Sequence, residues 1–98
     1  MRQDIDVNGY WKVIILYNVW LGKYNTGFTH TDFIKKRSIV AISPTTSRQQ
    51  FLNTVVHEIK HLQSHICRYY NVDEDSEEAA YLIGYIAQKM HKYLIEYI

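Results

Sequence analysis

The clearest pattern of apolar and polar positions begins at Ser47. From there to Tyr70 no Gly or Pro interrupts the chain, and steps of 100° per residue separate two faces. Phe51, Leu52, Val55, Ile59, Leu62, Ile66, Tyr69 and Tyr70 share one side. Thr54, His57, His61, Ser64 and Arg68 share the opposite side, with Glu58 and His65 on its border. This predicts an amphipathic helix whose apolar stripe meets a core. Ser47, with Gln50 three residues later, forms a capping box at its start.

Ahead of the helix the period shortens. Residues 1–9 are polar and end in the turn signal Asn8-Gly9. Tyr10 to Trp20 is rich in β-branched and aromatic residues around Val13-Ile14-Ile15-Leu16, which predicts a central strand. Gly22 to Gly27 reads as a loop. Phe28 to Phe33 alternates with threonines and His30, a short second strand. Lys35-Lys36-Arg37 turns the chain into a third strand, Ser38 to Ser43, ended by Pro44. The expected sheet is a small antiparallel meander of about three strands.

Beyond Tyr70, Asn71 to Asp75 is a polar loop. Ser76 caps a second helix, with Glu77 and Glu78 in its first turn, where carboxylates favour the positive helix end. This helix runs to about the last residue and is apolar nearly all round, so it should pack on both the first helix and the sheet. Ala80, Gly84 and Ala87 form a stripe of small residues that would admit a neighbouring backbone and bring Glu77 towards the histidines. The reading is therefore α+β: a small sheet, then two antiparallel helices, in a single domain over residues 1–98.

Composition narrows the partners. Apolar residues make up 47% and aromatics 14% of 98 residues, enough for a packed core. Eleven basic and ten acidic side chains give a net charge of +1 without a basic block, so neither nucleic acid nor an anionic membrane is the expected partner. Val13 to Leu21 is too short for a membrane span, and no small-residue cleavage site follows it. With one cysteine, Cys67, an internal disulfide is excluded. A cytoplasmic protein is expected.

The chemistry is concentrated in His57-Glu58-Ile59-Lys60-His61, an H-E-x-x-H run on the first helix. Histidines four apart lie one turn apart on one face, so both imidazoles can bind one ion. The glutamate beside them can deprotonate a metal-bound water. A catalytic Zn²⁺ site needs a third protein ligand and one open position. The candidates are Glu77, Glu78, His65, Asp73, His91 and His30. His65 lies about 12 Å from His57 along a straight helix, too far to share an ion with it. Glu77 is favoured by position, since it opens the antiparallel second helix. Glu78 points about 100° away from it.

These blocks resemble a known arrangement. His57-Glu58-x-x-His61 followed by a glutamate on the next helix is similar to the gluzincin zinc metallopeptidases. A nearer likeness is to small peptidases encoded by bacteriophages and some bacteria. It is carried by Asn53-Thr54-x-x-His57-Glu58-x-x-His61 and by Glu77-Glu78-Ala79-Ala80-Tyr81-Leu82-Ile83-Gly84-Tyr85. The resemblance covers roughly residues 28–86. It implies a minimal zincin-like fold and Glu77 as third ligand.

The expected function is zinc-dependent hydrolysis of a peptide or protein substrate. Glu58 would be general acid/base, and Tyr81, His65, His91 or Tyr85 would stabilise the oxyanion. The strand Ser38–Ser43 is a candidate edge for an extended peptide. The alternative is a non-catalytic, zinc-stabilised binding domain. A third reading has Asp4, Asp6 or Cys67 filling the open position. The apolar second helix would also suit a homodimer.

Overall fold

The computed structural model describes residues 1–23, 25–45 and 47–97, the last without its side chain. Four strands, β1 (Arg2–Val7), β2 (Trp11–Tyr17), β3 (Gly27–Asp32) and β4 (Arg37–Ile42), precede helices α1 (Arg48–Tyr70) and α2 (Glu77–Tyr97). The α+β class and the order of sheet before helices are as the sequence predicts. The sheet has one strand more than expected and is mixed, in the order β1-β2-β4-β3. The β1–β2 and β3–β4 pairs are antiparallel, whereas β2 and β4 are parallel.

The unexpected strand is the N-terminal segment. Asn8 and Gly9 both take positive φ, 51° and 81°, and the Tyr10 N–H donates to the Val7 carbonyl at 3.0 Å. This turn, with Tyr10 completing a three-residue loop between the paired Val7 and Trp11, closes a β-hairpin, so Asn8-Gly9 joins two paired strands rather than ending a polar tail. Ile5 and Val7 enter the core, and Asp4 and Asp6 stay exposed on the alternate side.

After β2 the chain crosses to the far edge and forms β3. It turns through residues 33–36, where Asp32 accepts from the Ile34 and Lys35 N–H groups at 3.1 Å each. β4 then fills the gap beside β2. This insertion replaces the expected meander, and it makes β4 interior. The two open edges are β1 and β3.

Both helices cover one face of the sheet, α1 over β3 and β4 and α2 over β1. The core between them holds Trp11, Ile15, Tyr17, Val40, Ile42, Leu62, Ile66, Ile86 and Met90, among others. Ser47 caps α1 by accepting from the Gln50 N–H at 3.1 Å. At the other end Asn71 adopts φ 56°, and the N–H of Val72 bonds the Cys67 carbonyl at 2.9 Å, closing a Schellman turn. Ser76 caps α2 through the Ala79 N–H at 3.2 Å. From there α2 runs against the direction of β1. Tyr85 donates to the Asp6 carbonyl at 3.0 Å, Gln3 donates to the Lys89 carbonyl at 2.6 Å, and Tyr93 stacks on Tyr17 at 4.8 Å.

The small-residue stripe on α2 does not do what its composition suggests. Ala80 and Gly84 are exposed, and a Cβ at Gly84 would meet nothing within 4 Å. The close backbone approach is elsewhere, at Gly27 on β3. A Cβ there would lie 2.9 Å from the Ala41 carbonyl oxygen, 2.9 Å from Thr54 Cγ2 and 3.1 Å from Glu58 Cγ. Gly27 thus lets α1 settle onto the sheet edge at the turn that carries Glu58. Among the described residues no helix is long and apolar enough to cross a membrane.

Candidate metal centre

α1 presents His57 and His61 to solvent while its apolar stripe stays buried. The two imidazoles meet edge to face, with ring centroids 4.7 Å apart and Nε2 atoms 3.1 Å apart. Two ligands of a tetrahedral zinc at Zn–N distances of about 2.0–2.1 Å are separated by about 3.3–3.4 Å. The histidine pair is therefore already close to the spacing that one edge of such a site requires. Two neutral imidazoles in this contact share one proton, so one ring donates and the other accepts.

Glu58 lies about 100° round the helix from His57 and is turned inward. It is 5% exposed. The Thr29 hydroxyl on β3 lies 2.8 Å from its Oε1 and 3.1 Å from its backbone carbonyl. A buried carboxylate needs such a donor, because leaving it unpaired carries the full cost of desolvation. A second threonine, Thr31, makes the matching contact about two helical turns further along. Its Oγ1 lies 2.7 Å from His65 Nδ1. Two polar clips from the edge strand thus anchor α1, one at the motif glutamate and one at the third histidine of the row. His65 is half-buried, and its ring packs at 5.9 Å on Phe33. Burial lowers its pKa from the ordinary imidazole value, and Arg68, His61 and His30 act in the same direction.

The other candidates separate. Glu77 opens α2 with an exposed carboxylate that has no hydrogen-bond partner among the described residues. Among those residues, no three His, Cys, Asp or Glu side chains are grouped so as to hold one ion. The structure thus brings His57 and His61 together without adding Glu77 to them. Glu78 lines a cavity of about 320 Å³ with Tyr10, Ile66, Cys67, Tyr70 and Leu82, among others, and none of its lining residues is in the histidine row. Cys67 belongs to that cavity, and burial pushes its thiol pKa up.

His30 sits between Thr29 and Thr31, so strand alternation turns it away from α1. Asp73 accepts from the Asp75 N–H at 2.9 Å within the interhelical loop. Tyr85 is committed to Asp6 on β1. Tyr81 is 74% exposed and His91 is exposed on the later half of α2. The third reading loses its N-terminal plug: Asp4 and Asp6 are on β1, at the opposite sheet edge from β3, and face away from the helices.

The residues that sequence reasoning passed over are Thr29 and Thr31. Their signal was a polar residue at every second position of a strand, which marks a strand face turned towards something polar. Comparison with protein-family models, curated proteins and solved structures finds no match to this chain.

Proposed function

We propose that the chain is a zinc-dependent metallopeptidase with His57, His61 and Glu77 as protein ligands. The observation that carries the reading is the 3.1 Å separation of the two Nε2 atoms, beside a glutamate fixed on the neighbouring face of the same helix. Glu77 is favoured as third ligand by its place at the start of α2 and its exposed carboxylate, whereas Glu78 lines the apolar cavity. Glu77 is not grouped with the two histidines here, so it would have to be brought to them when the ion binds. A zinc ion bound there supplies Lewis acidity at a scissile carbonyl and a water of lowered pKa.

With the ion bound, Glu58, held on the neighbouring face by Thr29, would be the group to accept the water's proton and return it to the leaving nitrogen. Tyr81 is proposed for the oxyanion from its place one turn after Glu77 on α2. Its exposed side chain lines a groove with Val7, Asn8 and Tyr10 and would have to turn from there to reach the histidines. The substrate is an extended peptide. With β4 interior, the edge that supports peptide pairing is β3, which bonds α1 at Thr29 and Thr31.

One observation favours a second reading, a zinc-stabilised binding domain without catalysis. Glu58 is buried and already engaged by Thr29, as a structural residue would be. Glu58→Gln separates the two, because a glutamine Oε1 can still accept from the Thr29 hydroxyl and preserve the fold. The peptidase reading expects about one zinc per chain by elemental analysis, lost in the His57→Ala, His61→Ala double variant. It expects Glu58→Gln to keep the zinc and lose cleavage of a broad peptide library. A zinc-loaded wild type that cleaves nothing leaves only the binding reading, and a wild type that takes up no zinc defeats both.

A further inference from the structure

A line of four polar groups crosses the sheet from the core to the histidine row. The Trp11 indole N–H donates to Ser38 Oγ at 3.0 Å, with both residues at most 1% exposed. Ser38 Oγ lies 2.7 Å from Thr31 Oγ1, and Thr31 Oγ1 lies 2.7 Å from His65 Nδ1. The residues come from β2, β4, β3 and α1 in turn.

Proton counting gives this line a direction. The indole can only donate, so Ser38 oxygen accepts at that end. Ser38 must then place its own proton, and Thr31 is its one remaining partner among the described residues. With Ser38 donating to Thr31, the Thr31 proton has His65 Nδ1 as its one acceptor among the described residues, so a bare Nδ1 satisfies every proton on the line. Thr31 accepting from both Ser38 and an Nδ1–H would instead leave its own proton without an acceptor. The opposite order would have Nδ1–H donate to Thr31 and Thr31 donate to Ser38. The Ser38 hydroxyl proton, fully buried, would then have no acceptor. An unpaired buried donor biases the balance by roughly 5- to 150-fold against that arrangement. The same count disfavours a doubly protonated ring, which would also have to donate from Nδ1.

We propose that the Trp11–Ser38–Thr31 line is a positioning device that holds His65 neutral with its proton on Nε2. That N–H is the hydrogen-bond donor for a carbonyl oxygen of the bound peptide. The second half rests on the peptidase reading above. His65 follows His61 by one turn, about 6 Å along the helix, and its Nε2 has no hydrogen-bond partner among the described residues. It stands where α1 meets β3, the sheet edge available to an extended chain. A fixed neutral donor suits this task, since its hydrogen bond is aimed before the ligand arrives.

The first half is tested on metal-free full-length protein by long-range ¹H–¹⁵N correlation of the histidine rings. His65 should show a bare Nδ1 and a protonated Nε2, with no averaging between tautomers. Thr31→Ser should keep this signature, and Thr31→Val should relax it to the mixed pattern of a free imidazole. A protonated Nδ1 in the wild type, or a Thr31→Val spectrum identical to wild type, overturns the lock. If Thr31→Val does not fold, Ser38→Ala gives the same readout, because it removes the group that dictates the direction.

The second half is read on zinc-loaded protein by peptide hydrolysis. His65→Phe should leave zinc content unchanged and lower kcat by about 10²- to 10³-fold with KM little altered, as for loss of an oxyanion donor. An unchanged kcat overturns the donor role. Absence of hydrolysis in the wild type overturns the donor role together with the peptidase reading, and the tautomer result stands apart from both.

Discussion

Replacing Gly27 by alanine tests the packing of the site-bearing helix directly. The added Cβ would lie 2.9 Å from the Ala41 carbonyl oxygen, 2.9 Å from Thr54 Cγ2 and 3.1 Å from Glu58 Cγ. Carbon contacts in a protein interior settle at about 3.5–4.0 Å, so α1 or the strand must give way by several tenths of an ångström. Two obstacles resist. Ala41 offers backbone of the interior strand β4, and Thr54 is 3% exposed with no room to turn. Overpacking of this kind costs about 1–3 kcal/mol, a large share of the roughly 5–15 kcal/mol that holds a small domain folded. With a urea m value of about 1–3 kcal/mol/M, the midpoint should fall by about 1 M. Circular dichroism in urea reads the change, with Gly84→Ala as the counterpart. Gly84 lies in α2 with nothing within 4 Å of its Cβ position, so alanine there should add about 0.5–1 kcal/mol through helix propensity. The two substitutions are chemically identical and should move stability in opposite directions. A Gly27→Ala midpoint equal to or above wild type refutes the close approach of α1 to β3.

Thr29→Val keeps the shape and removes the hydroxyl that serves Glu58. Urea unfolding at neutral pH should show a loss of about 1–3 kcal/mol for the unpaired buried carboxylate, and an unchanged midpoint would mean that Glu58 finds another donor. Asn71 ends α1 at φ 56°, so Asn71→Ala should cost about 1–2 kcal/mol while Asn71→Gly costs nothing. Equal midpoints for the two variants would contradict the left-handed cap. Burial first, then Arg68, His61 and His30, hold His65 below the ordinary imidazole pKa, so on acidification the unfolded chain takes up that proton before the folded one. Its stabilising contribution is complete above about pH 6.5 and is lost as the pH falls further towards the folded value. Metal-free wild type should therefore lose urea midpoint between about pH 7 and pH 5, and His65→Gln should lose less over that window. Equal losses would show that other groups carry the acid sensitivity.

The helices were legible because each carries its own local instructions. Ser47 and Ser76 cap, Asn71 stops, and the 3.6-residue period runs unbroken over α1. The sheet was less so. Asn8-Gly9 was visible as a turn, but charged Arg2, Asp4 and Asp6 masked Ile5 and Val7, so the strand before the turn was missed. The parallel neighbouring of β2 and β4 has no local signal at all, because it depends on where the β3–β4 hairpin docks. Placing β4 inside the sheet moved the available peptide edge to β3.

The sequence alone determined the α+β class, the capped helix and the one-turn spacing that brings His57 and His61 together, since these follow from contacts between residues at most a few positions apart. Only the tertiary structure decided which glycine admits the close approach of α1, which strand is an edge, and which threonines meet Glu58 and His65. Those depend on residues such as Gly27 and Glu58, or Thr31 and His65, that are distant in sequence and adjacent only after the sheet and α1 have packed.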